Sequence, residues 1–318
     1  MSTYPLVSII IPCKELDDLA RECVEHCMSL DYPNFKVLLL PDIEEKGLDG
    51  VRIIATGALS PGAKRNIGVM NSDGEFCAFI DSDAYPRRDW LKNAVNYLKD
   101  PEVSAVGGPG ITPENATFME KASGYVLSSF MVGKLSNRYD SKCYCESDDI
   151  HSCNFIAKKE VLKEAGGWNE KYWPGEDTLM CLAINNVGKK MVEASDVVVY
   201  HHRRSLFKPH LKQVSRFGEH RGFFVKKFPK NSVKLTYFFP SLLVSFFIAG
   251  VALSLVLPLF AYVLLVGVAT YLVSSLIASA LQVKSMKLLF SVWIGIIVTH
   301  IVYGTFFLSG LAKRDLKR

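Results

Sequence analysis

Between residues 235 and 312 the chain has no acidic residue and only two basic ones, Lys284 and Lys287. So long a stretch with so little charge is not the surface of a soluble domain, and it has the apolar density of membrane segments. Other absences narrow the chemistry. No Gly-x-Gly-x-x-Gly follows the first apolar run, which argues against a dinucleotide oxidoreductase, and no Gly-x-x-x-x-Gly-Lys-Ser/Thr occurs, which argues against a P-loop ATPase. There is no internal repeat and no low-complexity tract. The eight cysteines are too sparse for a disulfide scaffold. Cys13, Cys23, Cys27, Cys77 and Cys181 sit in apolar runs as small buried hydrophobes. Cys143, Cys145 and Cys153 cluster without the paired spacing of a zinc site, so free thiols in a reducing cytosol are expected. The N-terminus lacks a basic n-region, and Leu6–Ile11 is too short for a signal core, so the body is expected to stay in the cytoplasm.

The chain has 318 residues, 49% of them apolar and 22% charged, enough for one or two real cores and too hydrophobic for a disordered tail. Its net charge of +5 conceals a partition. Residues 1–202 carry a net −9, residues 203–234 a net +9, and the tail 313–318 a net +3. This divides the chain into an acidic globular body (1–202), a basic amphipathic collar (203–234), an apolar region of about three transmembrane helices (235–312) and a basic tail (313–318). A bilayer core needs about 20 apolar residues per helix. Three windows qualify, Tyr237–Leu257, Leu259–Leu281 and Leu288–Leu311. The positive-inside rule puts Lys226, Lys227, Lys230 and Lys234, and also Lys284 and Lys287, in the cytoplasm. Three crossings then put Lys313, Arg314, Lys317 and Arg318 on the far side, against the same rule, unless one segment is re-entrant.

Leu6–Pro12 is a short β-branched run ending in proline, the pattern of a strand buried on both faces. Helical spacing follows through Glu15–Leu30, then apolar strands at Phe35–Leu40 and Val51–Ala55, a helix near Ala63–Met70 and a strand at Phe76–Ile80. This alternation predicts a parallel α/β sheet with ligands at the carboxyl ends of its strands, so the first hundred residues read as a nucleotide-binding half. Beyond Val103–Gly107 the pattern predicts a helix near Asn115–Gly133, a polar loop at 136–149, a strand at Cys153–Ala157 and a helix from Lys158 to Ala165. A further helix is expected at Glu176–Val187 and a strand at Met191–Tyr200.

The sharpest chemical signal is Asp81-Ser82-Asp83 at the end of the fourth strand. Two carboxylates two positions apart at a strand mouth can hold a hard divalent ion against nucleotide phosphates. Alone, the pattern is common and also reads as a turn or helix cap. Glu176-Asp177 likewise also reads as an acidic helix start. Their company adds specificity: Val7-Ser-Ile-Ile-Ile-Pro-Cys-Lys-Glu15 opens the chain, Asp42 ends the second strand, and Lys64-Arg65-Asn66 precede the fourth.

In that motif order the sequence resembles the family 2 glycosyltransferases of the GT-A fold, over residues 5 to about 222. It is most similar to their membrane-bound, succinoglycan-biosynthesis-like branch, through Pro61-Gly-Ala-Lys-Arg-Asn-Ile-Gly68, Val106-Gly-Gly-Pro109 and Arg204-Ser-Leu206 leading to Gln213-x-x-Arg216-Phe217-Gly218-x-x-Arg221. Lys14, Pro41-Asp42 and Phe217 depart from the commoner residues. The last favours single-sugar transfer over processive synthesis.

The resemblance implies an α/β, Rossmann-like nucleotide-diphospho-sugar transferase domain followed by C-terminal transmembrane helices, and inverting transfer from a nucleotide sugar. It makes Asp177 the base, with Glu176 orienting the acceptor or the base. Pro12, Glu15, Asp42 and Asp81 line the nucleoside and ribose site, with Lys64 and Arg65 near the diphosphate, where a solvated basic turn is the competing reading. The metal, Mg²⁺ or Mn²⁺, falls to Asp83, with Asp81 sharing it. In some members of the family a histidine here completes the metal shell; adjacent strand residues point oppositely, so only one of His201 and His202 can face the site, with His202 the expected one and a surface histidine the competing reading.

Arg204, Gln213, Arg216 and Arg221 are the candidates for an acceptor's lipid phosphates. The mixed cations and aromatics of the collar read as an interfacial segment rather than a nucleic-acid surface, with aromatics entering the headgroup boundary. The expected reaction moves one sugar from a UDP- or GDP-sugar to a lipid-linked saccharide, in glycan or cell-surface polysaccharide synthesis, by a multi-pass cell-membrane protein with a cytoplasmic catalytic domain. Bare polyprenyl phosphate as acceptor is the alternative enzyme reading, and a non-catalytic nucleotide-sensing membrane scaffold is the alternative of another class.

Overall fold

A computed structural model of the chain describes residues 4–133, 139 and 144–316. Cys143, much of the loop 136–149, and Lys317 and Arg318 of the tail lie outside the described residues. The chain divides into two compact units, Met1–Pro113 with Ser136–His202, and Glu114–Leu135 with Arg203–Arg318. Residues 114–135, counted with the acidic body by sequence, thus group with the C-terminal helices.

The first unit begins with β1 (Val7–Pro12), α1 (Asp18–Met28), β2 (Phe35–Leu40), β3 (Val51–Ile53), α2 (Pro61–Met70) and β4 (Phe76–Phe79). The four strands lie parallel in the order β3-β2-β1-β4. Alternate side chains of one strand feed opposite cores: Ile9 and Ile11 join Val37, Leu39 and Ala78 on one face, and Ile10 joins Leu38, Leu40 and Phe79 on the other. That is why these runs are continuously apolar. Asp17 caps α1 by accepting the Ala20 amide, and Ser60 caps α2 by accepting that of Ala63, with Pro61 preorganising its first turn.

The remaining elements are β5 (Ala84–Pro86), α3 (Trp90–Leu98), β6 (Val103–Gly107), β7 (Gly110–Ile111), α4 (Phe118–Ser128, in the second unit), β8 (Cys145–Glu146), β9 (Phe155–Lys158), α5 (Lys159–Glu164), α6 (Glu176–Asn186), β10 (Lys190–Glu193) and β11 (Val199–His201). The sheet is mixed where a parallel one was expected. β9 enters antiparallel between β4 and β6, and its apolar run cannot reveal its direction. The expected strand Met191–Tyr200 is two strands in different sheets, β10 in the large sheet and β11 in a small one ordered β5-β11-β7. The bend between them is pinned at Asp196, whose carbonyl accepts from Arg87 and Asn93.

The second unit holds α4 and the later helices α7 (Lys208–Lys227), α8 (Pro229–Ser232), α9 (Leu235–Ser254), α10 (Pro258–Ala280) and α11 (Met286–Ala312). The last three, of 20, 23 and 27 residues, are long and apolar enough to cross a membrane. Small residues let α7 lie against α11: a Cβ at Gly222 would meet the Phe307 carbonyl, one at Gly218 the Tyr303 carbonyl, and one at Gly310 the Glu219 carbonyl. Buried polar contacts add register. His210 on α7 pairs through Nδ1 with Ser123 Oγ on α4 (2.8 Å) and through Nε2 with Thr299 Oγ1 on α11 (2.9 Å).

The collar differs from its expected interfacial form. Leu206, Val214, Phe223 and Phe224 are buried within this unit, because α7 turns its apolar face toward α11, while Lys208, Lys212, Arg216 and Phe217 remain exposed.

Candidate active site

The site is built where the carboxyl ends of β1, β2 and β4 meet the start of α6. The order β3-β2-β1-β4 puts β2 on one side of β1 and β4 on the other, the switch point at which open α/β sheets form a ligand crevice beyond the strands' carboxyl ends. Pro12 ends β1, Glu15 stands exposed on the loop after it, and Asp42 follows β2, half-buried. Asp81 and Asp83 sit in the turn between β4 and β5 with side chains about a third and a quarter exposed (32% and 23%).

Glu176 and Asp177 are the first two residues of α6. Gly175 precedes them at φ 110°, a left-handed conformation that glycine alone adopts without strain, and it turns the chain so that α6 starts toward the crevice. The Asp177 carboxylate accepts the Thr178 amide at 2.7 Å. Glu176 is buried, and its Oε1 accepts from Arg65 Nη1 at 2.9 Å. The other terminal nitrogen of Arg65 donates to Asp81 Oδ1 at 2.6 Å and to Ser152 Oγ at 3.0 Å. One guanidinium therefore bridges the acid at the mouth of β4 and Glu176, the first residue of α6, although Glu176 lies 95 positions beyond Asp81 in the sequence. Trp168 supports it, with its ring 4.9 Å below the guanidinium carbon.

Electrostatics follow from that burial. Desolvation pushes the Glu176 carboxyl up to about 7; Arg65 pulls the other way and Asp177 adds to the rise. Burial opposes the Arg65 charge, but Asp81 and Glu176 outweigh it and hold its pKa above the ordinary arginine value.

Two sequence expectations change here. Lys64 and Arg65 were expected near a diphosphate, yet both side chains are buried, at 4% and 2% exposure, because the fourth and fifth positions of α2 face inward. Lys64 Nζ donates to the carbonyls of Cys13 (2.6 Å) and Leu40 (3.1 Å) and to Asp42 Oδ1 (2.5 Å). The second concerns the histidines. β11 pairs His201 with Ala84, which brings His201 Nε2 to 3.2 Å from Asp83 Oδ1. His202, the expected ligand, points to the opposite side, where its Nε2 lies 2.6 Å from Glu22 Oε2 on α1.

Sequence reasoning also missed Ser152 and Trp168, for which no local motif exists. It quoted Asn66 without a role, and Asn66 clamps the loop that leads to α6: Nδ2 donates to the Trp168 carbonyl and to Glu170, and Oδ1 accepts the Trp168 amide.

Hard carboxylate oxygens beside an imidazole, partly open to solvent, are a donor set that suits Mg²⁺ or Mn²⁺ with substrate oxygens completing the shell. Among the described residues no group of three or more His, Cys, Asp or Glu is arranged to hold a metal unaided.

Arg204, Gln213, Arg216 and Arg221 belong to the second unit, the last three along α7. Arg204 and Arg216 are exposed, and the Arg221 guanidinium lies 4.2 Å over the Tyr237 ring.

A sequence model of the family described as Glycosyl transferase family 2 matches residues 8–166. The chain belongs to that family. This family 2 glycosyltransferase is 25% identical over 232 residues to the glycosyltransferase AglE of Haloferax volcanii, covering 69% of this chain and 73% of that protein. It is 22% identical over 268 residues to a Methanococcus voltae enzyme named dolichyl N-acetyl-alpha-D-glucosaminyl phosphate 3-beta-D-2,3-diacetamido-2,3-dideoxy-beta-D-glucuronosyltransferase, covering 77% of this chain and 82% of that one. Among solved structures, the mannosyltransferase PcManGT from Pyrobaculum calidifontis, in complex with GDP-Man and Mn²⁺, superposes with a TM-score of 0.66 at 18% identity over 99% of this chain and 89% of that one. At that identity the likeness carries the fold, and the fold is GT-A with three apolar C-terminal helices.

Proposed function

We propose that this glycosyltransferase is an inverting, metal-dependent enzyme that moves one sugar from a UDP- or GDP-sugar to a lipid-linked saccharide at the cytoplasmic face of the membrane, in glycan synthesis. The observation that carries the reading is the Arg65 bridge, which joins Asp81 at the mouth of β4 to Glu176 at the start of α6, the neighbour of Asp177 in the sequence. The name of the Methanococcus relative, which acts on a sugar carried by dolichyl phosphate, supports a lipid-linked saccharide as acceptor. The three apolar helices support membrane residence, with the candidate catalytic and metal-holding residues in the first unit.

In this reading Pro12, Glu15 and Asp42 line the nucleoside end. Asp177 takes the proton from the acceptor hydroxyl, and that oxygen attacks the anomeric carbon from the face opposite the diphosphate. The anomeric carbon–oxygen bond to the diphosphate breaks as the new one forms, so the configuration inverts. Glu176, fixed by Arg65, orients the acceptor beside Asp177. Asp83, with Asp81 and His201, would hold a divalent ion, which when bound supplies positive charge to the departing diphosphate. Arg204, Gln213, Arg216 and Arg221 are assigned to the acceptor's phosphates through planar, charge-assisted hydrogen bonds.

The test is a donor screen on membranes from an expressing strain, with lipid products identified by mass. Wild type is expected to add one sugar mass to a lipid-linked saccharide, and Asp83→Ala and Asp177→Asn each to abolish the product while the protein still accumulates. Full activity in both variants would reject the assignment.

A further inference from the structure

Lys64 and Arg65 are consecutive residues of α2 whose side chains reach different groups, Lys64 the ends of β1 and β2 and Arg65 the end of β4 and the start of α6. An ammonium has three donors, and those of Lys64 go to the Cys13 carbonyl, the Leu40 carbonyl and Asp42. Arg65 gives its terminal nitrogens to Glu176, Asp81 and Ser152, and its Nε is buried without an acceptor among the described residues. Both side chains are buried, and every hydrogen bond they make goes to a protein acceptor, which is the pattern of residues that hold other groups in place.

The start of α2 is held by protein contacts as well. Ser60 Oγ accepts the Ala63 amide and donates to the Glu170 carbonyl. The Asn169 carbonyl lies so close to Gly62 that no Cβ would fit. The loop at 168–170 therefore packs against the first turn of α2, whose Ala63 amide is already taken by Ser60.

We propose that Lys64 and Arg65 are a pair of positioning residues rather than phosphate ligands. Lys64 fixes Asp42 at the nucleoside end, and Arg65 fixes Asp81 against Glu176 at the reacting end. Because both sit on one short helix, α2 sets the spacing between the group that holds the nucleoside and the groups that act on the sugar. This rests on the reading of the crevice as a nucleotide-sugar site.

The experiment titrates the purified full-length protein, with Mn²⁺ present, with uridine, UMP and UDP and with guanosine, GMP and GDP. Wild type is compared with Lys64→Gln and Arg65→Lys, and transfer kinetics are measured beside binding. A positioning role predicts that Lys64→Gln weakens nucleoside, monophosphate and diphosphate by one common factor, about tenfold for a lost charge-assisted hydrogen bond. It predicts that Arg65→Lys lowers kcat while the donor KM and the diphosphate-to-nucleoside affinity ratio stay within about twofold of wild type. A selective loss of diphosphate affinity in either variant, about tenfold or more with nucleoside affinity retained, would overturn the proposal and leave the enzyme reading standing. If Arg65→Lys does not fold, the pair Arg65→Gln with Glu176→Gln removes a buried cation and its partner together, and the same ratio decides. Failure of wild type to bind any of the six compounds would reject the nucleotide-sugar reading and the proposal with it.

Discussion

At the scale of single residues, Glu176 gives the site a pH signature. Its carboxyl titrates near 7 in the folded protein, against 4.5 ordinarily, because burial disfavours its charge. Between those values the native state keeps a proton that the unfolded chain releases, so this residue's contribution to stability falls as pH rises from 4.5 to about 7. The difference in thermal midpoint between wild type and Glu176→Gln should therefore change across that window and be flat above it; a flat difference throughout would contradict the burial. Removing Arg65 outright is expected to be severe. Arg65→Leu leaves a buried acid unpaired and should cost about 3–5 kcal/mol, the usual loss for breaking a buried pair, measured by denaturant unfolding. Asp81 and Asp83 were legible as a site because two acids end an apolar strand, and Glu176-Asp177 because they follow Pro174-Gly175. The partners of Lys64 and Arg65 were not legible. A basic dipeptide early in a helix looks the same whether it faces solvent or carboxylates, and only the closure of β2, β4 and α6 around α2 decides. The choice between His201 and His202 was beyond the sequence for a similar reason, since alternation says that one faces the site and the register with β5 says which.

At the scale of elements, the strands of the nucleotide-binding half were readable because both faces of each are buried, which makes the runs continuous. The direction of β9 was not, since hydrogen-bond polarity leaves no trace in composition. Helix α3 is not among the sequence expectations, although Trp90, Leu91, Ala94, Val95 and Leu98 have helical spacing and are all buried. The collar shows the opposite failure. Its aromatics suggested lipid contact, while Phe223 and Phe224 serve the packing of α7 on α11. That packing depends on a glycine. Gly222→Leu places a side chain against the Phe307 carbonyl and should cost at least about 1–3 kcal/mol, the range for overpacking a close contact. Purified in detergent, this variant should show a lowered thermal midpoint, whereas Lys212→Ala on the exposed side of the same helix should not; equal midpoints for Gly222→Leu and wild type would contradict the close approach.

At the scale of the molecule, the partition of charge along the chain was the most legible feature, because burying charge in a bilayer is costly and the near absence of charge over 235–312 has few other meanings. The grouping of 114–135 with the C-terminal helices was not legible, since it depends on contacts between residues far apart in the sequence, such as Ser123 with His210, 87 positions on. His210 makes that second unit acid-sensitive. Burial lowers its pKa from 6.5 to about 4, so the unfolded chain binds a proton that the native state refuses between those values. The stability it contributes is complete above 6.5 and is lost as pH falls toward 4. His210→Gln should flatten the loss over that window in thermal unfolding at stepped pH, and an unchanged slope would rule out His210 as its source. The account as a whole depends on divided labour within one crevice, with donor held at one end and the acceptor proton removed at the other. The most direct measurement is donor affinity beside transfer rate in purified Asp177→Asn. The expected result is donor binding within about twofold of wild type with transfer reduced by at least about 100-fold, the scale of a lost general base. Transfer at the wild-type rate would contradict the account.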